Sequence, residues 1–366
     1  MSPKRVLAFR YLIIFSLYLT ATSITTHLYF DQQSASLSRT TEQLIFNTSQ
    51  RPFVYRVLSH WSLGKLSEAT PEAIKQRLRT NKKGELRELD GIKHYQWTGN
   101  HPHIFILSYL WVFLFLLLSI FCWRLILSKT LSMTPFGLDI APVIAMLALP
   151  HLFMKSGFIY DTSELFFFSA GLLLFLRKNW LLYYACFALA VTNKETGILM
   201  GAWLLLPLVN RQWRYIFSHG AAHLAVSLPI LISIRMYYAE TSGSAMEFHL
   251  WENIDFFFSS KPWLQFDDAY AFHLPTTRSF NIINILLVTL PLITYWKHLN
   301  VEIKWIFTTL LITLFPLYLV CGLKDEIRVF LPLVPSFLIL YTDAMKHLYT
   351  SIQTSENDDK NKRITT

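Results

Sequence analysis

Apolar runs broken by short polar segments and two long polar loops order this chain. The runs begin near Phe9, His103, Gly137, Thr162, Trp180, Gly197, Tyr215, Asn281, Trp305 and Val329. An α-helix needs about 20 mostly apolar residues to cross a hydrocarbon core. Most runs approach that length, so the pattern predicts an all-α, polytopic membrane helical bundle of about ten transmembrane helices. The runs starting at Thr162, Trp180 and Gly197 are short, which leaves the number of crossings between 162 and 209 least fixed. The long loops are 31–102 and 239–280. No internal repeat and no Gly/Ser-rich linker divides the chain. Residues 1–347 therefore read as one membrane domain carrying both loops, and 348–366 as a disordered cytoplasmic tail.

Composition agrees with the pattern. The chain is 53% hydrophobic and only 16% charged, where soluble domains hold about 25% charged residues. Mean hydropathy is +0.34. In that setting the net charge of +9 fits basic cytoplasmic loops and anionic lipid head groups, and nucleic acid is not an expected partner. Cys122, Cys186 and Cys321 lie in or beside apolar runs, so neither a structural disulfide nor a metal-thiolate site is expected. The start, MSPKRVLAFRYLIIFSLYL, has basic flanks, a long apolar run and no small-residue cleavage site. It reads as a retained first helix rather than a cleaved signal.

Charge then gives sidedness. With Lys4 and Arg5 in the cytoplasm, alternate connections carry Arg124 and Lys129, Arg177 and Lys178, Arg211 and Arg214, and Lys297 and Lys304. All are basic, as cytoplasmic connections should be. An even number of spans puts both termini inside. Asp31, YDTSE (160–164), NKET (193–196), KDEIR (324–328) and both long loops then share the extracytoplasmic face.

Each candidate on that face has a functional and a plain reading. Asp31, just after the first span, is a candidate general base or simply a helix-end polar residue. Tyr160, Asp161 and Glu164 sit at a span start, where acidic residues orient an acceptor or a cation but also cap helices. Lys194 and Glu195 interrupt an apolar stretch, where charges face a polar cavity or pair with each other. Arg328 and Lys324 are candidates for binding phosphate, since a guanidinium fork matches phosphate oxygens. Asp325 or Glu326 would hold the basic groups in place. Snorkelling at a helix end is the alternative. Arg235, near the outer end of another span, has the same two readings.

The first loop predicts small helical elements. RPFVYRVLSHWSL, including Arg56, would place Phe53, Val57 and Trp61 on one side of an interfacial helix. Thr70 and Pro71 mark an N-cap and first helical position for the next. His94, His101 and His103 match no standard zinc spacing. Residue types alone assign no metal, although a divalent cation is compatible with two nearby carboxylates. The aromatic second loop, with Trp251, Phe256 and Trp263, suits sugar contacts or an interfacial belt. No Walker A loop, G-x-G-x-x-G or G-x-S-x-G is present.

The segments RPFVYRVL, YDTSELFFF, NKETG and EIRVFLPLVP, with Asp31 after the first span and Asp161 in the next outer loop, resemble the GT-C superfamily of membrane glycosyltransferases. The likeness is to small bacterial members. It departs from larger ones in having a single acidic residue, followed by Gln32 and Gln33, after the first span. The resemblance implies an enzyme of the bacterial inner membrane, active on the extracytoplasmic side. Such an enzyme transfers a sugar from a polyprenyl-phosphate carrier to a glycan, lipid or protein acceptor, with inversion. Asp31 and Asp161 would be catalytic. Arg328, with Lys324, Lys194, Glu195, Arg235, Tyr160, Glu326 and Arg56, would serve the carrier phosphate and substrate. Competing readings are a polysaccharide polymerase or ligase, a transporter or flippase of lipid-linked glycans, and a non-catalytic assembly partner.

Overall fold

Helices start where the chain offers side-chain caps or rigid first turns. In the computed structural model, residues 3–78, 101–153, 157–208, 212–244, 246–267 and 276–365 are described. Helix α1 (Pro3–Ile45) is followed by a 3₁₀ turn (Phe53–Tyr55), α2 (Val57–Ala69) and α3 (Glu72–Arg77). Then come α4 (His103–Thr130), α5 (Pro135–Ala148), α6 (Pro150–Phe153), α7 (Ile159–Leu176) and α8 (Trp180–Asn193). A long 3₁₀ segment (Glu195–Leu208) leads to α9 (Trp213–Tyr237). The second loop holds α10 (Leu250–Phe258), α11 (Lys261–Leu264) and a two-residue antiparallel pairing of Phe266–Asp267 with Thr276–Thr277. Helix α12 (Ile282–Tyr295), α13 (Val301–Cys321), a 3₁₀ segment (Ile327–Leu333) and α14 (Val334–Thr365) complete the chain.

Caps explain several starts. The Thr134 hydroxyl accepts the Gly137 N–H ahead of Pro135 at the first position of α5. Asn281 and Asn300 cap α12 and α13 by accepting from Ile283 and Ile303. Pro332, inside the last 3₁₀ segment, and Pro335, in the first turn of α14, mark where that element changes helix type.

Seven of these helices are long and apolar enough to cross a membrane: Ala8–Asp31, His103–Thr130, Pro135–Phe153, Ile159–Leu176, Trp213–Tyr237, Val301–Cys321 and Ile327–Thr354. Three shorter apolar helices, Trp180–Asn193, Glu195–Leu205 and Ile282–His298, occupy the remaining runs predicted from sequence. The protein is thus a helical, multi-pass membrane bundle. Helix α7 lies at its centre, with 78% of its apolar window buried, whereas α9 lies at its edge with 11%. Small and hydroxyl residues let α7 pack closely. Ser169 accepts a 2.9 Å bond from the Trp123 indole of α4, and Met200 lies against Gly171.

Three local expectations change. Helix α2 begins at Val57, so Phe53 belongs to the preceding 3₁₀ turn and does not share a helical face with Trp61. Thr70 does not cap α3, because its hydroxyl donates back to the Leu66 carbonyl at 2.8 Å. The stretch expected as a disordered tail continues α14 as helix to Thr365. It contains no Pro or Gly after Pro335 to stop a helix already anchored in the bundle.

Candidate functional site

The N-terminus of α7 is the origin of the site. Asp161, in its first turn, accepts the Phe158 N–H at 2.9 Å and so helps cap the helix. The same carboxylate, fully buried, carries two ion pairs. Arg328 Nη1 lies 2.7 Å from Oδ2, and Lys194 Nζ lies 3.2 Å from Oδ1. Lys194 also reaches Glu164, one turn along α7, at 2.6 Å, and the Thr196 hydroxyl donates to that glutamate. Arg328 Nη2 pairs with Glu326. The capping and ion-pair readings of Asp161 are therefore both true of one side chain.

Aromatic rings divide this core from an outer arginine. The Arg328 guanidinium lies 4.3 Å over the Phe158 ring. Phe158 stacks on Tyr160 at 5.0 Å between ring centres. Arg56 lies 4.5 Å over Tyr160 and donates to its hydroxyl. Each ring of the stacked pair thus carries a guanidinium group, a contact favoured by the negative faces of the rings. Arg56 Nε has only a 3.8 Å ionic contact, to Glu195. It makes no hydrogen bond among the described residues.

A neutral network holds these elements in register. Ser59 of α2 and Ser163 of α7 each donate to Asn193 Oδ1 at 2.7 Å, and Asn193 Nδ2 donates to the Tyr160 carbonyl at 2.9 Å. Next to Ser59, His60 is buried with neither ring nitrogen hydrogen-bonded among the described residues. Burial, with a smaller push from Arg56, lowers its pKa to about 3, so it is a neutral imidazole. Tyr29 of α1 is also buried near this point. A Cβ on Gly157 would lie 2.5 Å from its ring, so only glycine lets Tyr29 pack there.

The structure sorts the sequence candidates. It brings together Asp161, Tyr160, Lys194, Glu195, Glu326, Arg328 and Arg56 from four distant parts of the chain. Lys194 and Glu195 are not a mutual pair, since the lysine turns to α7 and the glutamate to Arg56. Asp325 does not orient Arg328. Its backbone is in the left-handed region (φ 66°), and its carboxylate faces Arg278 Nε and Gln265 Nε2, each at 3.1 Å. That contact ties the second long loop to the KDEIR segment. Lys324 lies exposed in the preceding turn. Arg235 is exposed near the end of α9 and has no bond to the cluster. Asp31 is exposed on α1 and has no hydrogen-bond or ion-pair partner among the described residues. The inward side chains of that turn are Tyr29 and Phe30.

Of the three histidines, His101 and His103 approach each other with ring centres 6.0 Å apart, and His94 lies outside the described residues. Among the described residues no three His, Cys, Asp or Glu side chains are grouped to hold a metal ion. One charged group escaped the sequence reading. Asp139 of α5 is buried at the opposite end of the bundle, between Arg10 (2.5 Å) and Arg124 (2.7 Å). A lone aspartate inside the apolar run FGLDIAPVIAML was its signal.

The committed charges limit the chemistry. Arg56, Lys194 and Arg328 face Asp161, Glu164, Glu195 and Glu326, so the ionised cluster has no surplus positive charge. Arg328 has both terminal nitrogens on carboxylates and is a strut of the site. Arg56, at the more accessible edge, is the cation best placed to meet an incoming anion. No known family model, curated protein or solved structure matches this chain.

Proposed function

We propose that this protein is a GT-C-like glycosyltransferase of the bacterial inner membrane. It would move a sugar from a polyprenyl-phosphate carrier to a glycan, lipid or protein acceptor on the extracytoplasmic face. One observation carries the reading. Buried opposite charges from α7, the α8 boundary and the start of the last span converge at helix ends on one face, beside an under-committed arginine just before α2. A transporter would be expected to place such charges near mid-membrane.

Ten crossings, with both termini cytoplasmic, put all these segments on that face. The segment Glu195–Leu208 supports the count. A 3₁₀ helix rises about 2.0 Å per residue, so its 14 residues cover about 28 Å, close to the roughly 30 Å hydrocarbon core.

In this reading the carrier phosphate lies against Arg56, which Tyr160 and Phe53 hold flat. Asp161, Lys194, Glu164, Arg328 and Glu326 position that surface. The base must be accessible and uncommitted. Asp31 meets both conditions, whereas Asp161 meets neither. The acceptor hydroxyl oxygen bonds to the anomeric carbon as the bond from that carbon to the phosphate oxygen breaks. Asp31 takes the hydroxyl proton, and the phosphate leaves with its negative charge facing Arg56. The displacement inverts the anomeric centre.

The test is transfer of labelled sugar from a panel of polyprenyl-phosphate sugars into glycan by membranes containing the full-length protein. Asp31→Asn should lower turnover by about 10²–10⁴-fold, the usual contribution of a general base. Full activity in that variant removes the mechanism. Absence of transfer from every donor removes the reading.

A further inference from the structure

A cavity of about 740 Å³ lies away from the charged cluster, between the end of α1, helices α2 and α3, and the start of α4. That volume is within the range of about 300–1,000 Å³ typical of ligand sites. Its lining mixes acceptors, donors and apolar surface. Glu68, Glu72, Lys75, Gln76, Phe46 and His101 are among the residues that line it. The Phe46 and His101 rings are 4.6 Å apart, and Phe46 remains 48% exposed. Glu42 fixes His101 by accepting its backbone N–H at 2.6 Å. His101 Nδ1 is buried and faces Glu42 Oε2 at 3.7 Å. Ser67 and His103 satisfy each other at 2.7 Å.

A ligand that fits this lining carries many hydroxyls, each able to donate and accept, and one apolar ring face. Carboxylates, the Lys75 ammonium and the Gln76 amide suit the hydroxyls, and an aromatic ring suits the sugar's C–H face. Glu68 pairs with Lys65 at 2.7 Å and Glu72 lies 4.0 Å from Lys75, so a fully apolar lipid would bury these pairs without offering them a polar partner, and a phosphate would meet no surplus positive charge. Helix α2 links this cavity to the cluster. Arg56 precedes the helix and Ser67 is near its end, so the two sites are separated by about 16 Å of helix rise.

We propose that this cavity binds the glycan of the acceptor, and that the acceptor is an oligosaccharide long enough to reach from the cavity to Arg56. The assignment rests on the glycosyl-transfer reading. It makes the enzyme one that extends or decorates a chain, with the cavity holding sugars several units from the one modified.

Gly64 permits a clean test. It lines the cavity, and a Cβ there meets only Ile45 at 3.7 Å. Gly64→Ala therefore fits, whereas Gly64→Phe projects into the cavity without removing any polar partner. Full-length protein in nanodiscs, without donor, is applied to immobilised cell-envelope oligosaccharides and their component monosaccharides. Oligosaccharide should be retained and monosaccharides not. Gly64→Phe and His101→Ala should each weaken binding by more than about tenfold, with thermal unfolding as the folding control. Gly64→Ala should bind as the unaltered protein does. Retention of no oligosaccharide overturns the proposal, as does unchanged binding in a folded Gly64→Phe variant. Cavity-dependent binding without any sugar transfer would sink the transferase reading and leave the cavity assignment standing.

Discussion

Two buried aspartates, at opposite ends of the bundle, hold arginines in different ways. Asp161 is sealed. Its side chain has no exposure, and that of its partner Arg328 only 6%. Phe158 covers Arg328, and Lys194 and Glu164 close the far side. Asp139 is open. Its partners Arg10 and Arg124 retain 38% and 24% side-chain exposure. Arg10 and Tyr29 are separated along α1 by about 29 Å of helix rise, which is about one hydrocarbon thickness. The open triad ties α1, α4 and α5 together where water still reaches the charges. The sealed cluster keeps charges where desolvation is costly and alternatives are apolar. A buried ion network is weak evidence for stability in itself, so its retention calls for a use beyond holding helices together.

That contrast can be tested by removing one anion at a time. Asp161→Asn leaves Arg328 and Lys194 buried with one carboxylate each, and should cost about 3–5 kcal/mol in thermal unfolding of the detergent-solubilised protein. A cost near that of Asp139→Asn would erase the distinction. Replacing the sealed pair together, Asp161→Leu with Arg328→Met, should recover part of that stability, because well-packed apolar residues replace one buried ion pair at little cost, while Glu326 keeps only the Leu323 N–H. Sugar transfer should remain lost in the double variant. Recovery of both would make the cluster structural only.

Acid adds a change at the sealed end. His60 folds as a neutral imidazole with pKa about 3, whereas an unfolded histidine titrates near 6.5. Below about pH 6.5 the unfolded chain takes up a proton that the folded chain does not, so stability falls with pH until about 3. Between pH 6.5 and 5 the loss is about 2 kcal/mol at roughly 1.4 kcal/mol per unit. His60→Phe should flatten that slope. An unchanged slope would mean that His60 is hydrated. Smallest is the open end, where Asp139→Asn should cost about 1 kcal/mol or less because Arg10 and Arg124 are screened by solvent. Much of that cost should vanish in 1 M salt, where the screening length is about 3 Å, and the cost of Asp161→Asn should not.

The sequence was readable where it states depth. Apolar runs located the helices, because spans must satisfy their backbone internally and show their length in the sequence. Short polar breaks marked span ends, and charge asymmetry placed Asp161, Lys194 and Arg328 on a common face. Pairing was not readable, because it depends on backbone direction at single residues. The left-handed Asp325 turns its carboxylate to Arg278 and leaves Glu326 to Arg328, although the two acids are adjacent in sequence. Helix rotation hid a second fact. Asp31 marks the span end, yet α1 points Tyr29 and Phe30 inward at that level. Asp139 was hidden for a different reason, since its partner Arg124 had already been assigned to the basic side of the membrane.

The segment Glu195–Leu208 leaves the chain with length in reserve. As a 3₁₀ helix it is longer than an α-helix of the same 14 residues by about 7 Å. Its outer end begins directly after Lys194. Rewinding even half of it to α geometry would draw Lys194 and Glu195 inward by about 3.5 Å. That is enough to part the lysine from Asp161 and the glutamate from Arg56, and it requires no loop to open. The helix type of one membrane segment thus sets the spacing of charges at its mouth.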